Sequence, residues 1–265
     1  MSISEVFYSL RPGVLVLFLI LLLVLLLEIG FQVGRRHRSS NGDTKAMIEG
    51  IQTEIAAVLG LLLGFSFAMA VSRFDARRQL VVDESNAIGT AYLRTQLLPE
   101  PERTDTAGLL RQYVDSRLAN AQSNPASLAA IETQTARLQN ELWANAMKVA
   151  EGTPKVTLNL FIQALNDVFD IRSSRNRVLQ EHVPGGVIVL LIAASALTVG
   201  IKGYQCGLAG TRAPQANFAL CLLIGLVAFV IFDLDRPRQG LIRISQQTME
   251  DLKISMAAPP YRIQP

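Results

Sequence analysis

Apolar residues in this chain are gathered into four long runs. Val14–Leu27 is unbroken, Ile55–Val71 carries no charge, and Val187–Ile201 and Ala216–Phe232 complete the set. Each run holds about 14 to 17 apolar or small residues, and neutral neighbours extend it toward the ~20 that a ~30 Å hydrocarbon core requires. Inside lipid a lone segment must satisfy its own backbone polar groups, so each run predicts a helix. The pattern therefore predicts four transmembrane helices, at about 12–34, 51–72, 183–202 and 215–233. The first run is followed by Glu28 and Gly34-Arg35-Arg36 and not by a small-x-small cleavage site, so it reads as a retained span and not a signal peptide.

Between the second and third spans lies a polar segment, 73–182, whose apolar positions recur at helical spacing. Leu80, Val81, Ala87, Ile88, Ala91 and Leu98 extend the second span as one long helix to the stop at Pro99 and Pro101. Further helices are predicted at about 106–122, with Leu110, Tyr113 and Val114 on one face, at 126–150 and at 155–180. Asn124-Pro125 and Gly152-Thr-Pro154 supply the breaks. No alternating pattern with hairpin turns occurs between spans two and three. The fold class is all-α, with four divisions: a transmembrane hairpin at 1–72, a cytoplasmic helical domain at 73–182, a second hairpin at 183–235, and a cytoplasmic tail at 236–265. The tail carries a short helix ending before Pro259-Pro260.

Half of the residues are hydrophobic, yet 18% are charged, a mixture that fits spans plus a water-facing part. With four crossings, both termini and the long segment share one side. That side carries Arg11, Arg73, Arg77, Arg78, Arg172, Arg175, Arg177, Arg236, Arg238, Arg243 and Lys253; the two short loops carry Arg35, Arg36, Arg38, Lys45, Lys202 and Arg212. The bias assigns the termini and 73–182 to the cytoplasm, although the dense Arg35–Arg38 cluster pulls the other way. The net charge of +3 thus reflects membrane topology and not nucleic-acid binding.

Soluble-substrate catalysis finds no support. The two histidines, His37 and His182, flank spans, and no zincin, nucleophile-elbow, Walker or dinucleotide motif occurs. Cys206 and Cys221 form no C-x-x-C pair and read as small packing residues. Asp233 and Asp235 are too few oxygens for calcium, which takes about six to eight, and closing the helix end by Asp–Arg pairing is the simpler role. No metal and no cofactor is expected.

Glu28 and Glu54 are the carboxylates nearest to hydrocarbon. An intramembrane acid is a functional candidate, but at a span end it also reaches headgroups. Arg73, Arg77 and Arg78 admit two readings: anchors that fix the helix at the interface, or the charged edge of a pore vestibule. Arg77 and Arg78 could each pair with an acid such as Asp83 or Glu84 in the oligomer.

Leu63-Gly64-Phe65 followed at fixed distance by Ser72-Arg73-Phe74 resembles the second span of the bestrophin ion channels. Four further stretches resemble a bacterial bestrophin-like group over nearly the whole chain: Arg73-Phe-Asp-Ala-Arg-Arg78, Asp83-Glu-Ser-Asn-Ala-Ile-Gly89, Ala91-Tyr-Leu-Arg94 and Asp235-Arg-Pro-Arg-Gln-Gly-Leu-Ile242. The resemblance implies a pentameric, passive ion channel of a bacterial inner membrane, with the second spans around the pore. On it, Ala57, Leu61 and Phe65 fall at the hydrophobic neck, spaced by four along one helix face. Glu54, Arg73 and Arg77 would be the charged approaches. Two features depart from bestrophins: Ala57 is small where a bulky residue is usual, and the acidic calcium clasp of the animal channels has no counterpart here. The implied partners are the bilayer, further copies of the chain, and ions. The rival expectation is a non-conducting membrane scaffold whose cytoplasmic helices bind a partner; a secondary transporter, which expects broken spans in matching halves, is not indicated.

Overall fold

The computed structural model describes residues 12–37, 42–123, 125–150, 155–236 and 240–258. Eight α-helices make up almost all of them: α1 Pro12–Arg36, α2 Gly42–Arg94, α3 Glu102–Gln122, α4 Pro125–Val149, α5 Lys155–Gln180, α6 Gly185–Ala209, α7 Pro214–Leu234 and α8 Gln247–Ala257. No strand occurs among the described residues. Four helices are long and apolar enough to cross a membrane. The breaks expected at Asn124 and 152–154, the basic residues Arg11, Arg38 and Arg238, and the Pro259-Pro260 stop lie outside the described residues.

The chain forms two compact units, one of residues 1–74 and 182–243, the other of 75–181 and 244–265. The first contains the spans. Val16, Leu19 and Leu23 of α1 meet Leu59, Ala70, Val199, Cys221, Ile224, Ala228 and Ile231 in its core. On the outer faces Leu17, Phe18 and Leu21 are more than half exposed, apolar surface that only lipid or another protein can cover.

Helices α1 and α6 approach closely through glycines. A Cβ on Gly203 would overlap the Leu27 carbonyl, one on Gly34 the Tyr204 carbonyl, and one on Gly207 the Phe31 carbonyl. Small residues let backbones touch where lipid removes the hydrophobic drive to pack. Gly203→Ala must push the two backbones apart, which costs about 1–3 kcal/mol as overpacking does elsewhere. A thermal melt of the purified protein will show this loss. Gly108→Ala in α3, where the new Cβ meets nothing within 4 Å, will instead hold or raise stability by about 0.5–1 kcal/mol.

The spans end where their chemistry allows. α6 runs seven residues past the expected position 202. Its final turn lies against Phe31 and Arg35 of α1, and Lys202 donates to Gln205 in place of ending the helix. Gly210, at φ 72°, then closes it with Thr211 N–H on the Cys206 carbonyl and Gly210 N–H on that of Gly207, a Schellman arrangement. Pro214 starts α7 at a position where its missing N–H costs nothing. In the last turn of α7, buried Asp233 accepts the N–H groups of Leu241 and Ile242, each at 2.8 Å. Asp235 accepts that of Val183 at 3.0 Å. These carboxylates close a helix end on backbone amides.

The second unit packs the C-terminal part of α2 with α3, α4, α5 and α8 around Ile88, Leu110, Tyr113, Leu142, Phe161, Leu165 and Met249. The tail is not separate from it. Ser85 donates to the Thr248 carbonyl and Tyr92 to that of Met256, which docks α8 in this unit. Two boundaries differ from expectation. α2 stops at Arg94 and tightens into a 3₁₀ turn, Thr95–Leu97, because Pro99 disfavours α geometry at Leu98. α3 starts at Glu102 and not near Thr106. Glu100 accepts from Thr104 N–H and Oγ1, and Glu102 and Asp105 suit the positive end of the helix; a polar stretch that reads as loop is a first turn.

Candidate functional site

Within the spans, α2 is divided lengthwise. Glu54, Ala57, Leu61, Phe65, Ala68 and Ser72 are all exposed, and their spacing of three and four keeps them within one side of a 3.6-residue helix. Leu61 is 58% and Phe65 66% exposed. The opposite side carries Gln52, Leu59, Ser66 and Ala70, all buried in the chain's own fold, with the Ser66 hydroxyl returned to the Leu62 carbonyl at 2.8 Å. Ala57, Leu61 and Phe65 thus form one continuous apolar line with Glu54 at one end and Ser72 at the other. Among the described residues nothing lies within 4 Å of a Cβ placed on Gly64.

Beside that line runs an apolar groove of about 660 Å³, with Gly60, Gly64 and Phe67 of α2 on one wall and Leu223, Val227 and Val230 of α7 on the other. Its surface is almost wholly hydrocarbon. Two adjacent faces of the second span therefore go uncovered by the chain itself.

The charged candidates separate. Arg73 is half-buried at the end of the exposed line. Arg77 is only 1% exposed and lies inside the helical unit. Its Nε donates to the Val178 carbonyl at 3.3 Å and its Nη2 to that of Glu181 at 2.5 Å. Arg77 thus stands apart from the exposed line: the guanidinium caps the C-terminal carbonyls of α5, where a cation is favoured. Glu28 is not left to headgroups either. It pairs with Arg212 at 3.1 Å, and the Arg212 guanidinium lies 4.4 Å over the Phe31 ring.

Sequence reasoning missed a second constellation, in the helical unit. Glu84 of α2, fully buried, accepts from Arg117 Nε of α3 at 2.6 Å and from Arg175 Nη1 of α5. Arg175 reaches on to Gln246. Glu84 thus takes two guanidiniums from within its own chain, neither of them Arg77 or Arg78, while Asp83 accepts from Gln79. A turn away, Arg172 donates to Glu132 of α4 at 2.7 Å and to Gln139, and Asn120 donates to Glu132. Ser116 and Thr135 bridge α3 and α4 at 2.7 Å. Burial works against the charge on Arg117, but Glu84 outweighs it and holds the guanidinium protonated above its usual range. For Glu132 burial alone would raise the carboxyl; the hydrogen bond and charge of Arg172 prevail and lower it. Burial pushes the Tyr113 phenol well up, so it stays a neutral donor. The signal in the sequence is the spacing Tyr113, Arg117, Asn120: an arginine on the core face of an amphipathic helix demands a buried partner.

Among the described residues no cluster of His, Cys, Asp and Glu could hold a metal ion. Both cysteines are buried thiols.

Comparison with known proteins places this geometry. No curated protein matches the sequence. The crystal structure of a bacterial bestrophin homologue from Klebsiella pneumoniae superposes with a TM-score of 0.68 at 14% identity, over 91% of this chain and 95% of that one. A point variant of that homologue gives 0.68 at 16% identity, over 92% and 99%. The fold is thus a bestrophin fold, carried by a membrane protein. The bestrophin-like domain of the family models matches residues 17–249, and the chain belongs to the bestrophin-like family.

Proposed function

We propose that the protein is a passive ion channel of the bacterial inner membrane, assembled from five copies whose second spans surround the conduction path. The observation that carries this is the exposed line on α2. A polar or charged residue stands at each end, Glu54 and Ser72, with Ala57, Leu61 and Phe65 between them. A monomer in lipid gains nothing from an acid and a hydroxyl on the same face as the exposed Phe65. A ring of such helices gains a wet mouth, a hydrophobic constriction at Leu61 and Phe65, and a wet exit, the arrangement that gates by dewetting. Glu54 rings one mouth, Arg73 stands at the other, and small Ala57 leaves a wide entrance. Arg77, held inside the helical unit, takes no part. The groove beside Gly60 and Gly64 offers the neighbouring copy a close seat. The excess of basic residues puts the helical unit and both termini in the cytoplasm.

Imaging particles in lipid nanodiscs tests the assembly. Five-fold particles with the α2 line turned to the axis are expected, together with currents when the same particles are fused into bilayers. Monomers or dimers in nanodiscs would remove the pore. Ordered oligomers that carry no current would favour a scaffold, whose binding surface would then include the exposed Leu93, Val156 and Ile254 of the helical unit.

A further inference from the structure

The polar layer inside the helical unit does not balance. Three guanidiniums, Arg117, Arg172 and Arg175, face two carboxylates, Glu84 and Glu132. Among the described residues no third carboxylate bonds to any of them. The innermost group is the more extreme: Glu84 is 0% exposed and answers both Arg117, at 1%, and Arg175. One positive charge is left over around the buried Glu84, and an uncompensated buried charge is among the most costly features a core can carry.

The same layer has donors to spare. Arg117 spends Nε and Nη2 on Glu84, while among the described residues its Nη1 meets no acceptor. The Tyr113 hydroxyl, one helical turn earlier on the same face of α3, also meets none, and neither does Arg172 Nε. Buried donors of this kind are nearly always satisfied. Three unanswered donors beside one unanswered positive charge ask for an acceptor that is also an anion. Water satisfies the donors and leaves the charge; ionising Tyr113 would cancel the charge, but burial holds the phenol protonated. We propose that this layer binds one small monovalent anion of the halide class, held by Arg117 Nη1 and the Tyr113 hydroxyl, with Arg172 Nε beside them. Tyr113 is 0% exposed, so the site is enclosed by side chains and selects a small ion over a polyatomic one. The ion ties together α3 and α5, and halide concentration thereby sets the stability of the helical unit. Whether the oligomer conducts is irrelevant to it.

The test uses the full-length protein in detergent or nanodiscs. Thermal melts are recorded as chloride replaces gluconate at constant ionic strength, for the native chain and for Tyr113→Phe, which keeps the packed ring and removes one donor. Tm should rise with chloride and saturate, and Tyr113→Phe should need about tenfold more chloride for the same rise, the worth of a hydrogen bond to a charged group. Crystals grown in bromide should show an anomalous peak beside the Arg117 guanidinium. Equal Tm in chloride and gluconate with no bromide peak means that water fills the site, and the proposal falls. A chloride response that Tyr113→Phe leaves unchanged places the ion elsewhere and overturns it equally.

Discussion

Replacing Glu84 with glutamine will cost the protein about 3–5 kcal/mol, the loss expected when one partner of a buried ion pair is removed. Glutamine matches the carboxylate in shape, so packing hardly changes. What changes is that Arg117, 1% exposed, and Arg175 lose the one carboxylate they share. Against a total stability of about 5–15 kcal/mol for a typical domain, that is a large share. The exposed Arg137–Glu141 pair supplies the comparison, since its side chains are 79% and 39% exposed. Glu141→Gln should shift stability by only about 0.3–0.5 kcal/mol, as solvent-screened helix pairs do. The two variants carry the same charge change, so a melt that separates them by several degrees isolates burial as the cause. A Glu84→Gln protein that melts with the native one would show that the buried pair contributes nothing to stability.

How far this architecture could be read from the chain depended on the kind of signal. The spans were legible because lipid enforces one rule: twenty apolar residues without charge leave little room for another reading. The same rule obscured where α6 ends, since Lys202 looked like an exit. The structure carries that helix on to Ala209 through contacts with α1 made possible by Gly203 and Gly207. In the helical unit the apolar faces of α3, α4 and α5 followed from periodicity. The charged interior did not, because arginine and glutamate on a helix read as solvated by default. Glu84 lies 33 residues from Arg117 and 91 from Arg175, and no local spacing announces such pairs. Arg77 hid its partners for the same reason. It sits among Arg73 and Arg78 in the chain, but one helical step turns it from the exposed side to the carbonyls of Val178 and Glu181. The candidate neck was legible as a spacing of four. That Phe65 is also uncovered by its own chain could come only from the packing of Leu59, Ser66 and Ala70 behind it.

In the proposed pentameric channel, Phe65→Ala will raise single-channel conductance in reconstituted bilayers on the order of tenfold, a barrier change of about 1.4 kcal/mol. A constriction lined by phenyl rings holds ions back mainly by staying dry, since a bare ion in an apolar ring forfeits hydration that nothing replaces. Truncation to alanine removes the ring from every subunit at once, so a small loss of wall per copy becomes a wide, wettable gap. Phe67, two residues on, is the control. It lines the groove with α7 and not the exposed line, so Phe67→Ala should leave conductance near native while disturbing the seat of the neighbouring subunit. Glu54→Gln separates gate from mouth: it should move the reversal potential in a salt gradient and leave the closed-state barrier alone, because Glu54 stands three turns from Phe65 on the same face. If Phe65→Ala and Phe67→Ala conduct alike, the constriction is not built from this face. The case for the neck rests on that contrast, since a general loosening of the spans would affect both variants, and only a ring facing the axis would respond to one.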